Sequence, residues 1–412
     1  MGFPFARSIA LVLAMTWPAL AQEPESRWKF SGFGTLGVAW NSAGQAGFRR
    51  DTEQPSGATR QLDGRTDTRL GLQLDTQLSR SLQGTLQVLS KYQYDGTFTP
   101  QVSWAFLGWS PEPEVKIRLG RLGVESFMNA DSRDVGYTYL LVRPPMEVYG
   151  VIPVTRLDGM DATGTLGLGA QVGLRVKAFY GATSEKVPLT LMNSPVVLDM
   201  TGDRVGGLVT EIETGRWRGR LSFARLEIRR DFPQAIRTLQ TELATFAEKP
   251  GRAQLLPTAD ALVFSGGTLD SYTAGLSYED GPFQAQAMVA DLHSNRIPLP
   301  KGVSGYLSLG YRLGKLVPYG LWSRLASQRP PGLYLKGLPP PVAQEIQQFT
   351  SGFSCSQSTT GAGVRWDFRD KADFKLQVDR ITSDVPSRLW SQVQPGWDGR
   401  ATVVSLVLDF VL

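Results

Sequence analysis

The stretch DTRLGLQLDTQLSRSLQGTLQVLSKYQ, Asp67 to Gln93, alternates with a period of two. Thr68, Leu70, Leu72, Leu74, Thr76 and Leu78 hold the even positions, and Asp67, Arg69, Gly71, Gln73, Asp75 and Gln77 the odd ones. After a turn at Ser79 to Ser81 the rule resumes, with Leu82, Leu86, Val88 and Tyr92 against Gln83, Thr85, Gln87, Lys91 and Gln93. Successive side chains of a strand point to opposite faces, so each run reads as a strand with one apolar and one polar face. Soluble antiparallel sheets alternate as well, but their strands average ~5 or 6 residues, and these runs hold about twelve. At ~3.3 Å per residue and a tilt near 40°, about twelve residues rise on the order of 30 Å, enough to cross a bilayer.

About sixteen such runs follow one another, each apolar on one parity. The apolar faces include Trp28, Phe30, Leu36, Val38 and Trp40; Val102, Trp104 and Phe106; Val115, Ile117 and Leu119; Val172, Leu174, Val176 and Tyr180; and Trp217, Leu221 and Phe223. They continue with Tyr272, Leu276 and Tyr278; Phe283 and Val289; Leu307, Leu309, Tyr311 and Leu313; and Val317, Tyr319 and Leu321. The last are Val364, Trp366 and Phe368; Phe374, Leu376 and Val378; and Val404, Leu406, Leu408, Phe410 and Leu412. The runs Met160 to Leu168 and Arg204 to Glu213 carry the pattern most weakly.

The connections alternate too. Short ones (SRS, PEPE, GA, TGR, EDGP, GKL, RDK) interleave with long ones: Asn41 to Thr66, Arg121 to Gly159, Gly181 to Asp203, Arg229 to Asp270, Asp291 to Val303, Ala326 to Ser358 and Thr382 to Arg400. The modest link Tyr94 to Pro100 is the exception. Short turns on one rim and long loops on the other describe an all-β chain, a transmembrane antiparallel β-barrel whose closure pairs every backbone group, as lipid requires. Residues 22–412 are expected to form that barrel as a single domain.

The flanking sequence fits. Met1 to Ala21 has Arg7, an apolar run from Ile9 to Trp17 and the small-x-small triplet Ala19-Leu20-Ala21, the form of an export signal peptide cleaved before Gln22. No stretch reaches the ~20 consecutive apolar residues of a spanning helix. With Arg7 removed, 42 basic residues face 38 acidic ones, too small an excess to argue for nucleic acid. Cys355 is the only cysteine and His293 the only histidine, which removes disulfide scaffolds, most metal sites and any triad with a histidine base. No cofactor and no metal is expected. Gly32, Gly34 and Gly37 match G-x-G-x-x-G, with Asp51 and Glu53 downstream. The motif needs a preceding strand and a following helix, and neither is there. Instead, WKFSGFGTLGVAW is the first strand, whose glycines allow close approach of backbone or an inserted loop.

If one parity meets lipid, the other lines an aqueous lumen. That set holds Arg69, Lys91, Lys116, Arg118, Arg175, Lys177, Arg218, Arg220, Arg312, Arg324, Arg365 and Lys375. Its acids are Asp67, Asp75, Glu211, Glu213, Asp367, Asp379 and Asp409. The basic excess reads either as a wall that attracts anions or as a solvated wall whose charges partly pair. A sugar channel would want a lane of lumen aromatics, and Phe33, Trp109, Phe179, Tyr306 and Trp322 are too scattered. The segment Arg121 to Gly159 is too apolar to wave in water: Tyr137, Tyr139, Leu140, Leu141, Val142, Val148 and Tyr149 need burial, and Pro144-Pro145 fixes an extended or turned path. Ile236, Leu239, Leu243 and Phe246 fall at helical spacing and predict a helix over the external mouth, with Pro330-Pro331 and Pro339 to Pro341 stiffening a loop nearby.

In these features together the chain resembles the Gram-negative porin superfamily over its whole mature length. The resemblance implies a sixteen-stranded outer-membrane barrel, a third long loop folded inward to narrow the channel, and a homotrimer set among outer-membrane lipids. Glu125, Asp131, Asp134 and Glu147 of that loop would then face the basic wall across a constriction. Two departures stand out: the loop lacks the Pro-Glu-Phe-Gly-Gly of general porins, and the chain ends on Leu412 instead of Phe or Trp. The expected function is passive diffusion of ions and small hydrophilic solutes with a weak preference for anions. Lys116 and Arg118 lie nearest the narrowest point, and Arg49 and Arg50, in the first external loop, are expected to leave selectivity nearly unchanged. A substrate-specific channel for phosphate or an organic acid, and a structural or adhesive barrel, are the rival readings; a hydrolase lacks a nucleophile with its base.

Overall fold

The computed structural model describes residues 27–412 apart from 153, 170, 192–193, 297–298, 329–332 and 352–354, so the leader and the pair Pro330-Pro331 lie outside the described residues. In chain order the strands are β1 (Trp28–Asn41), β2 (Arg69–Gln77), β3 (Leu82–Lys91), β4 (Gln101–Glu112), β5 (Val115–Gly123), β6 (Arg156–Gly167), β7 (Val172–Ala182), β8 (Lys186–Leu191) and β9 (Ser194–Asp199). They continue with β10 (Arg204–Thr214), β11 (Trp217–Glu227), β12 (Thr268–Asp280), β13 (Phe283–Ser294), β14 (Gly302–Tyr311), β15 (Leu316–Ser327), β16 (Gln357–Arg369), β17 (Ala372–Ser383) and β18 (Arg400–Val411). Sixteen of them form a closed antiparallel barrel in sequence order, β8 and β9 standing apart as a hairpin of their own between β7 and β10. β1 closes the barrel against β18, with Leu36 opposite Leu408 and Val38 opposite Leu406.

Burial follows the alternation. Leu70 and Leu72 of β2 are exposed on the outer face while Arg69 between its neighbours is buried. Trp28, Phe30, Leu119, Leu221, Leu307, Leu309, Leu376 and Leu406 are exposed in the same way, an apolar outer band of the kind lipid requires. At Gly34 any side chain would run into the ring of Phe410 on β18. The close approach expected at the glycines of β1 is thus made here by a side chain of the closing strand, an aromatic covering a glycine.

Two strands depart from the parity read in the sequence. In β4 the ladder to β3 slips at Ser103, with Gln87 opposite Trp104 but Val88 opposite Val102. A bulge of one residue moves everything beyond it to the other face, so Trp104 and Phe106 turn inward and Leu107 and Trp109 outward. In β15 the assignment is inverted throughout: Val317, Tyr319, Leu321 and Leu325 are buried inside, and Leu316 and Trp322 are exposed outside. Arg324 accordingly points outward and is removed from the lumen, as are Trp109 and Trp322.

The apolar core sits at the long-loop end. Phe48, Leu389, Trp390 and Trp397 pack together from the loops 42–68 and 384–399, with Phe48 and Trp390 ring centroids 5.7 Å apart and Trp390 and Trp397 4.7 Å apart. Beside them Phe232 stacks on Phe264 at 4.7 Å and meets Phe349 edge-on at 5.3 Å. The helix α2 (Gln234–Ala247) matches the predicted spacing and buries Ile236 and Leu243 in this core. Short helices α1 (Met146–Tyr149) and α3 (Leu256–Asp260) lie elsewhere in the loops. Pro340 and Pro341 open a fourth, α4 (Pro340–Ser351), instead of stiffening an irregular loop, because proline costs nothing in a first helical turn.

Candidate functional site

Segment 124–155, joining β5 to β6, bonds to inward-facing side chains from most of the barrel wall. At its start Glu125 is buried and accepts from Arg175 at 2.5 Å, from Arg118 at 3.2 Å and from Lys177. The next carbonyls are taken by β11 and β12: Ser222 and Thr273 donate to the Ser126 oxygen at 2.6 and 3.0 Å, and Arg220 to that of Phe127 at 2.6 Å. Arg218 reaches Asn129 Oδ1 at 3.3 Å. The segment then meets the opposite wall. Lys375 donates to the Gly136 oxygen at 2.7 Å, Arg365 to those of Tyr137 and Tyr139 at 2.8 and 3.0 Å, and the Val142 N–H to Gln377 at 3.0 Å. Gly136 packs so closely on Asp409 and Thr35 that any side chain there would collide with them. Finally Arg143 grips Asp67 with two hydrogen bonds, and Glu147 of α1 accepts from Ser323 at 2.7 Å, from Gln357 at 2.8 Å and from Thr359. Tyr149 meets Tyr306, hydroxyl to hydroxyl, at 3.2 Å.

Most of the predicted basic wall is paired. Arg118 also holds Asp161 of β6, Lys177 lies 3.5 Å from the same carboxylate, and Arg220 binds Glu211 at 2.8 Å. Lys375 pairs with Asp409 at 2.9 Å, Arg365 with Asp373 at 3.0 Å, and Arg312 with Asp367 at 2.6 Å. Lys91 pairs with Glu53 at 2.8 Å. Among the described residues Lys116, Arg69 and Arg218 have no ion pair; Arg218 hydrogen-bonds only Asn129, and Arg69 keeps Nε and Nη1 buried without a hydrogen-bond partner. Alternation singles out neither Asp161 nor Arg143, and it does not pair Glu53 with Lys91, because cross-strand register decides the first and the folding of the loops the others.

The loop carboxylates differ in their surroundings. Burial pushes the Glu125 carboxyl up, and Lys177, Arg175 and Arg118 more than reverse this, holding it well below the usual range. Asp134 is likewise buried and held low by Lys91, Arg133, Arg69 and Arg50. Asp131 is pushed up by burial and by Glu125. Glu147 meets neutral donors in place of the basic wall expected for it. Arg49 and Arg50 of the first long loop are both buried, Arg49 on the Gln54 carbonyl at 2.9 Å and Arg50 on that of Arg133 at 3.0 Å, because loop 42–68 folds against the rest of the mouth. The arrangement is a belt of charge pairs around a loop, with Lys116, Arg69 and Arg218 outside its ion pairs.

No family model matches the sequence, and no curated protein matches it either. Solved structures do. The anion-selective porin of Comamonas acidovorans is 13% identical with a TM-score of 0.55, covering 93% of this chain and 99% of its own. OprB of Pseudomonas putida is 11% identical at a TM-score of 0.55, covering 93% and 94%. OmpF of Salmonella typhi, solved with daunomycin, is 13% identical at 0.52, covering 93% and 97%. At these identities the likeness establishes a shared fold: the chain has the sixteen-stranded barrel of Gram-negative porins.

Proposed function

We propose that this chain is a channel of the Gram-negative outer membrane, through which ions and small hydrophilic solutes diffuse with a weak preference for anions. The observation that carries the reading is the set of bonds from segment 124–155 to inward-facing residues on opposite walls, from Arg220 to Lys375. A loop so held crosses the lumen and is its constriction. Preference is weak because most wall cations are already neutralised, which leaves Lys116, Arg69 and Arg218 to act on a passing ion against Asp131 of the loop. Arg69, with two buried unpaired N–H groups near Arg50, also favours a second reading, a channel specific for phosphate or an organic acid.

Export by the leader and assembly as a homotrimer belong to the same proposal. The mass of the mature chain, starting at Gln22, and native electrophoresis check them. The central experiment is conductance of the purified protein in planar bilayers under a potassium chloride gradient. A steady conductance with a small anion-directed reversal potential is expected. A strong cation preference, or no conductance from folded protein, overturns the reading, and block by phosphate at low concentration would select the specific channel.

A further inference from the structure

The outward-facing charges at the long-loop rim are not alike around the barrel. On one arc pairs form, Arg121 with Asp158 at 2.7 Å and Arg225 with Asp270 at 2.7 Å, and His293 hydrogen-bonds Asp291 at 2.9 Å, while Arg204 has no ion pair among the described residues. On the arc from β15 to β18, Arg324, Arg380 and Arg400 are exposed on the outer parity, and none has an ion pair or a side-chain hydrogen bond among the described residues. The register sets them close together. Arg324 lies opposite Ser358, Ser358 opposite Thr382, and Thr382 opposite Arg400. Arg380 lies opposite both Thr360 and Thr402, one pleat nearer the barrel's middle. Neighbouring strands are about 4.8 Å apart, so Arg324 and Arg400 stand roughly 14 Å apart with Arg380 between them, about 7 to 8 Å diagonally from Arg400. Acids of the adjoining loop are Asp398, which accepts the Arg400 backbone N–H at 2.9 Å, and Asp384.

Below this cluster the outer surface turns apolar and shallow. Gly320, Ala362, Val378 and Val404 lie side by side in one row, and Val364, Leu376 and Leu406 in the next. Trp322, half exposed, stands at the boundary. Guanidinium groups form forked hydrogen bonds with phosphate oxygens, and hydroxyls between them supply further donors. A row of small apolar residues beneath suits acyl chains. We propose that this arc is a binding site for a phosphate-bearing lipid of the leaflet at the long-loop rim, its headgroup on Arg324, Arg380 and Arg400 and its chains along the strip below. The proposal rests on the reading that the barrel spans a membrane.

The test uses the full mature chain folded in detergent micelles and titrated with lipid A, a bisphosphorylated acylated disaccharide, with bound lipid counted by native mass spectrometry. Wild type is expected to bind it, and dephosphorylated lipid A at least tenfold more weakly. The variant R324S/R380S/R400S is expected to bind about 100-fold more weakly, each arginine near an anionic surface counting for roughly fivefold. The lysine triple variant keeps the charge and should lose only part of the affinity, which covers the case in which the serine variant fails to fold. Arg225→Ser, on the paired arc, should bind as wild type. Equal binding by wild type and the serine variant, or by the two forms of lipid A, overturns the proposal. Displacement by millimolar pyrophosphate does so too, since it marks a site for free phosphate. Conductance of the serine variant in planar bilayers should equal that of wild type. A wild type that binds lipid A and fails to conduct would sink the channel and leave the lipid site standing.

Discussion

Arg143 and Asp67 form a two-pronged pair inside the barrel, Nε to Oδ1 at 2.9 Å and Nη2 to Oδ2 at 2.6 Å, with side chains 4% and 0% exposed. The guanidinium also lies 4.9 Å from the centre of the Phe48 ring and donates to Ser405 at 2.5 Å. One side chain thus ties segment 124–155 to the first long loop and to the last strand. Removing one partner of such a pair leaves a buried charge and costs about 3 to 5 kcal/mol. Arg143→Met is expected to destabilise the fold by that order in urea titrations in micelles. The double variant Arg143→Met with Asp67→Asn should recover a good part of the loss. Full additivity of the two single changes would show that the pair does not act as a unit.

Placement of the faces can be tested with neighbouring residues of one strand. Leu72 is 55% exposed on the outer band, whereas Gln73 faces inward and donates to Asp75 at 2.8 Å. Leu72→Arg is expected to destabilise the barrel in lipid vesicles by ~2 to 4 kcal/mol, and Gln73→Arg by much less. Equal folding yields would contradict the assignment.

The hold on the loop should weaken in acid. Glu125 and Asp134 both titrate below their ordinary values of 4.5 and 3.8 in the folded protein. A group with a depressed folded value stabilises the fold above its unfolded value, and that contribution fades as pH falls toward the folded one. Between pH 7 and about 5 the loop should therefore be unaffected, and below about 4.5 its bonds to Arg118, Arg175 and Lys177 should loosen. Proteolysis of the segment at graded pH, by an acid-active protease below about pH 5 and a neutral one above, measures this. Glu125→Gln should raise cleavage at pH 7 and flatten the profile; an unchanged profile in that variant would remove Glu125 as the cause.

Selectivity has a sharper probe than the paired cations. Lys116 faces inward and, among the described residues, has no ion pair to cancel its charge. Lys116→Glu is expected to shift the reversal potential toward cations, with Lys116→Gln in between. Arg324→Glu on the outer face should leave it unchanged. If the two positions have equal effects, the potential is set by overall charge and not by the lumen.

Strand number, turn sequence and the outer band were legible because lipid enforces one parity on every spanning strand. The reading failed where a second rule applied. β15 is apolar on both faces: Leu316, Gly320 and Trp322 meet the outside, and Tyr319 and Leu321 pack on Tyr149, Tyr306 and Met128. Period alone cannot choose between two apolar faces. β4 carries a bulge that no residue type announces. The hairpin of β8 and β9 lies inside what reads as a plain loop. At the candidate site the basic residues were visible and their neutralisation was not, because Arg118 and Asp161 meet through register across two strands and through nothing local in the chain.

The core of Phe48, Trp390, Phe232 and Phe264 lies in the loops. Whatever approaches this rim, whether an antibody or a phage tail fibre, meets residues brought together from loops far apart in the chain. A peptide copied from any one loop lacks the neighbours that shape it, and antisera raised against such peptides should recognise the denatured chain far better than the folded one. Recognition of the native molecule is a question of discontinuous epitopes, and escape from it calls for substitutions on the surface of these loops that leave their aromatic interior alone.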